Sequence, residues 1–219
     1  MPERILLVGA LLAETLPLVA ALEGARPIGR WRVEGHLAGA QVAVLTTGVG
    51  PRRARARTAH ALSRWPADRV LNLGTCGALV ETLRIGEVVH ADRLLDETGL
   101  DATLTPLGRP AGAVITVRRG VWDPATRAAL AARGARVCEM EAAAVLAACQ
   151  ARGLPLAVVK VVSDHAGAPP PGAGPDAALP TPGGRPGPIA IARFTARAWR
   201  LVQGELVPLL PALIRGSAR

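Results

Sequence analysis

The stretch "VCEMEAAAVLAACQARGLPLAVVKVVSDHAG", residues 137 to 167, sets two acids around a methionine and, one helix later, ends an apolar run on Ser-Asp-His. Glu139, Met140 and Glu141 form the first group, and Ser163, Asp164 and His165 the second. Two further features have the same character: Glu14, just after the apolar opening, and the Gly-Thr-Cys-Gly loop over 74 to 77, with Gly74 and Thr75 at its head. Carboxylates in such places can pass protons or accept hydrogen bonds from a ligand. Each also has an ordinary structural explanation. Glu14 suits a first helical turn, whose dipole favours an anion; Glu139 and Glu141 suit the N-terminus of their own helix, and Asp164 can cap the element after it. Together these explanations are less comfortable, because carboxylates beside apolar strand ends carry a desolvation cost that structure alone does not require.

The elements that must position these groups alternate in type. "RILLVG" reads as a buried strand over 4 to 9, followed by a helix from about 12 to 24. A hairpin then feeds a buried strand at about 41 to 46, and Gly48 and Gly50 lead into a helix from about 51 to 64. "DRVLNLGTCGALV" is a strand breaking into the glycine loop, and "RIGEVVHADRLL" and "AGAVITVRRGV" supply two more. "DPATRAALAARG" opens with an Asp-Pro pair suited to N-cap and N1 positions, and is followed by the acid-flanked helix from about 140 to 152 and the strand "LPLAVVKVVS". Strands alternating with helices, several strands being continuously apolar, predict an α/β fold around a mixed, largely buried sheet. Ligands in open α/β sheets bind beyond the carboxyl ends of strands. Glu14, the 74–77 loop, the 139–141 turn and Asp164 each fall just after a predicted strand, so one rim can collect all four. The Gly/Pro/Ala stretch over 167 to 188 reads as a long loop, either a lid or disordered, and the tail from Ile189 to Arg215 regains helical spacing, with Pro208 and Pro211 expected to kink or end it.

Composition narrows the function class. A 219-residue chain fits one domain with a sizeable core, and 50% apolar and 20% charged residues are those of a globular protein. The net charge of +9 raises the question of nucleic acid, but the arginines are scattered among alanines, Lys160 is the only lysine, and 2% aromatic content leaves few stacking platforms. No nucleic-acid partner is expected. Cys76, Cys138 and Cys149 lack a CxxC spacing and no signal peptide precedes them, so reduced, structural thiols and a cytoplasmic location are expected, without a metal site. No run approaches eighteen apolar residues, so no membrane span is expected.

"GTCGAL", "CEMEAAAV" and "VVSDHA", in this order and spacing, resemble the nucleoside phosphorylase superfamily, which includes purine nucleoside phosphorylases and the methylthioadenosine/S-adenosylhomocysteine nucleosidases. The opening "ILLVGALLAETLPL" is similar to the nucleosidase start, and the resemblance spans about residues 4 to 165. The Pro-rich stretch and the "LVPLLPALIR" ending look similar to bacterial phosphorylase-like proteins of hopanoid lipid synthesis, which release adenine from an adenosyl lipid. The resemblance implies a single three-layer α/β/α domain over 1–219 with a central mixed sheet, no cofactor, a small-molecule purine nucleoside as partner, and a homo-oligomer, with a dimer as the expected form. It also implies roles. Asp164 would supply or relay a proton to purine N7, Glu141 would accept hydrogen bonds from the ribose hydroxyls, Met140 would pack on the sugar and Glu139 would fix that turn. Ser163 and Gly74 belong to the same site. Glu14 would orient or deprotonate an attacking water, with Thr75 near that nucleophile. An acid at the base and anions at the sugar are what an oxocarbenium-like transition state demands.

Water and phosphate remain alternatives as nucleophile. The phosphorylases carry an arginine two residues before the glycine of the loop, where this chain has Asn72, and their N-terminal phosphate loop is replaced here by "VGALLAE". Both features favour hydrolysis, whereas Arg52 and Arg53 after "GVGP" leave a phosphate site open. Lys160 stands where the family often has arginine, Trp122 is read either as a base-stacking ring or as core, and His165 as a neighbour able to tune Asp164. The expected function is hydrolysis of a 5′-substituted adenosine-type nucleoside; the alternatives are a phosphate-dependent phosphorylase and a non-catalytic nucleoside-binding protein.

Overall fold

The computed structural model describes residues 2–165 and 188–216. The chain runs β1 (Arg4–Gly9), α1 (Leu12–Ala20), β2 (Glu23–Gly29), β3 (Arg32–Leu37), β4 (Ala40–Thr46), α2 (Pro51–Arg64), β5 (Arg69–Ala78), β6 (Val88–Asp96), β7 (Asp101–Thr103), β8 (Pro110–Thr116), α3 (Pro124–Ala132), β9 (Ala135–Glu139), α4 (Ala142–Gln150), β10 (Leu156–Asp164) and α5 (Pro188–Leu201). A π turn over Val202–Leu206, a 3-10 turn over Val207–Leu209 and α6 (Leu210–Ile214) complete it.

Period-two alternation sends each central strand's side chains to both faces of the sheet. Leu6 and Val8 of β1, Ala43 and Leu45 of β4, and Val158 and Val162 of β10 join one core with Ala54, Ala61 and Leu62 of α2 and Ala142, Val145 and Cys149 of α4. Ile5 and Leu7, Val42 and Val44, and Val159 and Val161 join the opposite core with Leu18 of α1 and Val202, Leu206, Leu210 and Leu213 of the tail. Helices therefore cover both faces of the central sheet, giving the expected three layers. Every residue of β10 is buried. At about 1.5–3 kcal/mol per buried aliphatic side chain, that packing offsets the cost of carrying Lys160 and Asp164 on the same strand.

The sheet order is β10-β6-β8-β9-β5-β1-β4-β3-β2, with β7 on β6, and β10 also pairs with β5. That second pairing closes β10, β6, β8, β9 and β5 into a ring, while β1, β4, β3 and β2 extend from it as a wing. The sheet is mixed: β5 is parallel to β1 and β10, but antiparallel to β9. Because β10 and β9 both lie against β5, with Gly77 opposite both Asp164 and Cys138, the ends of these three strands share one rim.

Several boundaries differ from expectation. α1 stops at Ala20, short of residue 24, because Leu22 turns into the core and Glu23 pairs with His36 of β3. The helix expected from residue 140 begins at Ala142, because Ala135–Glu139 is a strand that pairs with both β5 and β8. The tail keeps its helical character but leaves α-geometry after Leu201, and Pro208, which has no backbone N–H, lies in the 3-10 turn. The expected lid or disordered loop over 167–188 falls almost wholly outside the described residues. The three cysteines are free and buried. Among the described residues no helix is long and apolar enough to cross a membrane.

Candidate active site

β5 runs on through Gly74, Thr75, Cys76 and Gly77 to Ala78, so the stretch expected to break into a glycine loop is strand, paired with β10 along its length and with β9 from Gly77. Glu14, in the first turn of α1, lies against this end of β5. Its Oε1 accepts from Thr75 N and Thr75 Oγ1, each at 2.8 Å, and its Oε2 accepts from Ala10 N at 3.1 Å and Leu11 N at 3.0 Å. The ordinary explanation of this acid is therefore half right: Glu14 satisfies free amides at its own helix start, yet two of its four donors come from a strand sixty-one residues away. Gly74 has φ +148°, and a Cβ there would stand 2.9 Å from Glu14 Oε1, so only glycine admits the carboxylate. Asn72 is buried, its Nδ2 donating to Val8 O at 3.1 Å.

Glu139 ends β9. It accepts from Thr116 Oγ1 at 2.6 Å, from Glu141 N at 3.0 Å and from Ala142 N at 2.9 Å, and Lys160 Nζ lies 3.1 Å away, buried with it. Thr116 Oγ1 in turn accepts from Ala143 N at 2.9 Å. Glu139 thus caps α4 and fixes the 139–141 turn. Glu141 is the N-cap residue of α4, but its side chain makes no cap bond; Oε1 instead accepts from Gly50 N at 2.7 Å, across ninety-one residues. Burial, and then the neighbouring Glu139 carboxylate, push the Glu141 carboxyl up to about 8. Burial alone would lower Lys160, but the Glu139, Glu141 and Glu14 charges outweigh it and raise it. Met140 is half-buried and packs beside the small core containing Leu79, Ile115 and Val117.

Asp164 ends β10. Its Oδ1 faces Ser163 Oγ at 2.8 Å, and its Oδ2 accepts from Arg127 Nη2 at 2.5 Å in an ion pair buried on both sides. Ser163 Oγ also lies 3.1 Å from Cys76 O. A hydroxyl has one proton, so Ser163 donates either to Cys76 or to Asp164. A Cβ on Gly77 would come 3.0 Å from Asp164 Oδ2, making Gly77 the counterpart of Gly74. Glu14 and Asp164 therefore lean on β5 at glycines three residues apart.

Arg127 was not legible as a site residue: it sits among alanines on α3, and its partners lie 6 to 49 residues away. Thr116 and Gly50 escaped for the same reason, although each follows or ends a recognisable strand. Trp122 is half-buried with its ring folded over Gly120, so it is no buried core residue. His165 is exposed, while its carbonyl accepts from Arg127. The Cys76 and Cys138 thiols are raised by burial, Cys138 to about 12, which leaves them poor nucleophiles.

The chain matches the model of the phosphorylase superfamily over residues 4–117 and 109–178, and it belongs to that family. It is accordingly an enzyme of the N-glycosyl hydrolase or nucleoside phosphorylase kind. The 5′-methylthioadenosine/S-adenosylhomocysteine nucleosidase of Shewanella sp. (strain W3-18-1) is 26% identical over 199 residues, covering 74% of this chain and 86% of the relative. The protein of the same name from Geobacillus sp. (strain WCH70) is 29% identical over 167 residues, covering 61% and 72%. Among solved structures, the adenine complex of such a nucleosidase from Colwellia psychrerythraea 34H superposes with a TM-score of 0.76 at 18% identity over 97% of this chain and 96% of the other. Futalosine hydrolase of Helicobacter pylori strain 26695 gives 0.75 at 18% identity, covering 97% of each. The superpositions carry the fold.

Proposed function

We propose that this enzyme hydrolyses the N-glycosidic bond of a 5′-substituted adenosine-type nucleoside. The observation that carries this reading is the placement of Glu14 and Asp164, two buried carboxylates that lie against the end of β5 at Gly74 and Gly77. The names of the relatives, nucleosidases acting on 5′-methylthioadenosine and S-adenosylhomocysteine, support the substrate class. In the reaction, Asp164 delivers a proton to N7 as the C1′–N9 bond breaks and its electron pair leaves with the base. When Oδ1 carries that proton, Ser163 turns its own to Cys76. Glu141, pinned by Gly50, accepts from the ribose hydroxyls, and the Glu14 carboxylate favours the sugar's oxocarbenium character. Water then bonds to C1′ and loses a proton to Glu14. The Thr75 hydroxyl is the rotatable donor among Glu14's four, and turning it away opens a lone pair of Oε1 to that water.

Phosphorolysis is the second reading, favoured by Arg53 and Arg57, whose side chains approach Gly48 in the loop leading to Gly50. A non-catalytic binder is disfavoured by the inward turn of both acids. A dimer fits the exposed Leu12 and Leu16 on the helix that carries Glu14, and Val49 beside Gly50; elution at monomer mass at micromolar concentration would refute it. The function itself is tested by a panel of adenosine, inosine and 5′-substituted adenosines assayed for free base. Release of adenine, fastest from a 5′-substituted substrate, is the expected result, and no release from any member would overturn the reading.

A further inference from the structure

Arg127 is a buried cation of the candidate site that the reaction just described does not use. It is 2% exposed, and its N–H groups make four contacts: Nε donates to Val121 O at 3.1 Å, Nη1 to Ala78 O at 2.9 Å and to His165 O at 2.5 Å, and Nη2 to Asp164 Oδ2 at 2.5 Å. The three carbonyls belong to the segment before α3, the end of β5 and the residue after β10. Together they fix the guanidinium plane from three directions, and the plane fixes one oxygen of Asp164. A salt bridge needed for stability alone does not require this arrangement, since apolar residues of similar volume commonly serve a core as well or better.

We infer that Arg127 is a positioning residue that makes the Asp164 carboxyl asymmetric, so that Oδ1 alone exchanges the proton with the departing base. With Oδ2 committed as acceptor to the guanidinium, a proton on Asp164 resides on Oδ1, the oxygen beside Ser163. A free carboxyl can rotate and place its proton on either oxygen; here the fork removes that freedom and leaves one proton position, on the oxygen beside Ser163. The contact with Val121 ties the same guanidinium to the 117–123 segment that carries Trp122, so the acid and that segment keep one spacing. This inference rests on the nucleosidase reading and adds to it the residue that sets the geometry of base protonation.

A double-mutant cycle on 5′-methylthioadenosine cleavage tests it, with 4-nitrophenyl β-D-ribofuranoside, whose leaving group needs no proton, as the second substrate. Arg127→Met is expected to lower kcat for 5′-methylthioadenosine by about a hundredfold, the scale of a displaced reacting group, and to leave KM within about threefold. Cleavage of the nitrophenyl riboside should stay close to the wild-type rate. Introduced on top of Asp164→Asn, the same change should cost nothing further, because there is no proton left to position. Arg127→Lys, which keeps the charge but not the fork, should fall between wild type and Arg127→Met, and it carries the test alone if the methionine variant does not fold. Equal losses on both substrates, or full additivity with Asp164→Asn, would overturn the inference while leaving the nucleosidase reading standing. A wild type that cleaves no purine nucleoside would overturn both. If wild type refuses only the nitrophenyl riboside, additivity or its absence in the cycle decides alone.

Discussion

Replacing Glu14 by glutamine removes one negative charge and keeps the shape, and the consequences depend on its four donors. The carboxylate offers an acceptor to each of Thr75 N, Thr75 Oγ1, Ala10 N and Leu11 N. A glutamine can satisfy only one side. With its NH2 toward Ala10 and Leu11, two backbone donors face a donor; with its NH2 toward Thr75, the hydroxyl reverses to accept and only Thr75 N is stranded. The second arrangement is therefore preferred, and one stranded buried donor costs about 1–3 kcal/mol. For a chain of this size that lowers Tm by about 2–4 °C per kcal/mol. The catalytic effect is larger, because the amide cannot take the proton of the attacking water: base release in phosphate-free buffer should fall by about a hundredfold or more, some 2.7 kcal/mol of barrier. Thermal unfolding and a continuous assay of adenine release on the same samples separate the two effects. A variant that unfolds several degrees early yet keeps more than a tenth of the wild-type rate would show that Glu14 caps α1 and does nothing for the water.

Gly74→Ala should reduce turnover by a comparable factor with little change in Glu14 chemistry as such, because its Cβ would stand 2.9 Å from Glu14 Oε1 at a strained φ of +148°; wild-type kinetics in this variant would mean the strand can yield without moving the acid. Asp164→Asn should cut turnover by about a hundredfold and also destabilise the fold by roughly 3 kcal/mol or more, since it leaves the buried Arg127 without its counter-charge; unchanged base release, or an unchanged Tm, would each count against one half of that statement. Glu141 makes stability fall as pH rises. Its folded value of about 8 lies above the ordinary 4.5, so between those values the native state holds more protons than the unfolded chain, and stability present at pH 4.5 is lost progressively up to pH 8. Glu141→Gln should flatten that part of the Tm–pH curve, and an identical slope in wild type and variant would refute the assignment.

The parts of this architecture that could be read from residues alone were those with local signals. The buried strands announced themselves as apolar runs, α3 by its Asp123–Pro124 start, where Asp123 Oδ1 accepts from Thr126 N at 2.7 Å, and Glu14 and Asp164 by their position after strand ends. β9 was invisible, because a short run holding an arginine, a buried cysteine and a glutamate has no clean alternation, and it takes strand geometry only from β5 and β8. The ring closure through the β10–β5 pairing is likewise a long-range matter. Arg127 shows the limit most clearly: nothing in "DPATRAALAARG" sets it apart, and only the fold reveals that three carbonyls and Asp164 surround it.

Whether water attacks a sugar whose base leaves with a proton from Asp164 is decided by the identity of the sugar product. Wild-type enzyme is incubated with 5′-methylthioadenosine in phosphate-free and in phosphate-rich buffer, and the sugar is followed by phosphorus and proton NMR. Adenine release at the same rate in both buffers, with the free reducing sugar as product, is the expected result. Release that requires phosphate and yields the sugar 1-phosphate would contradict hydrolysis.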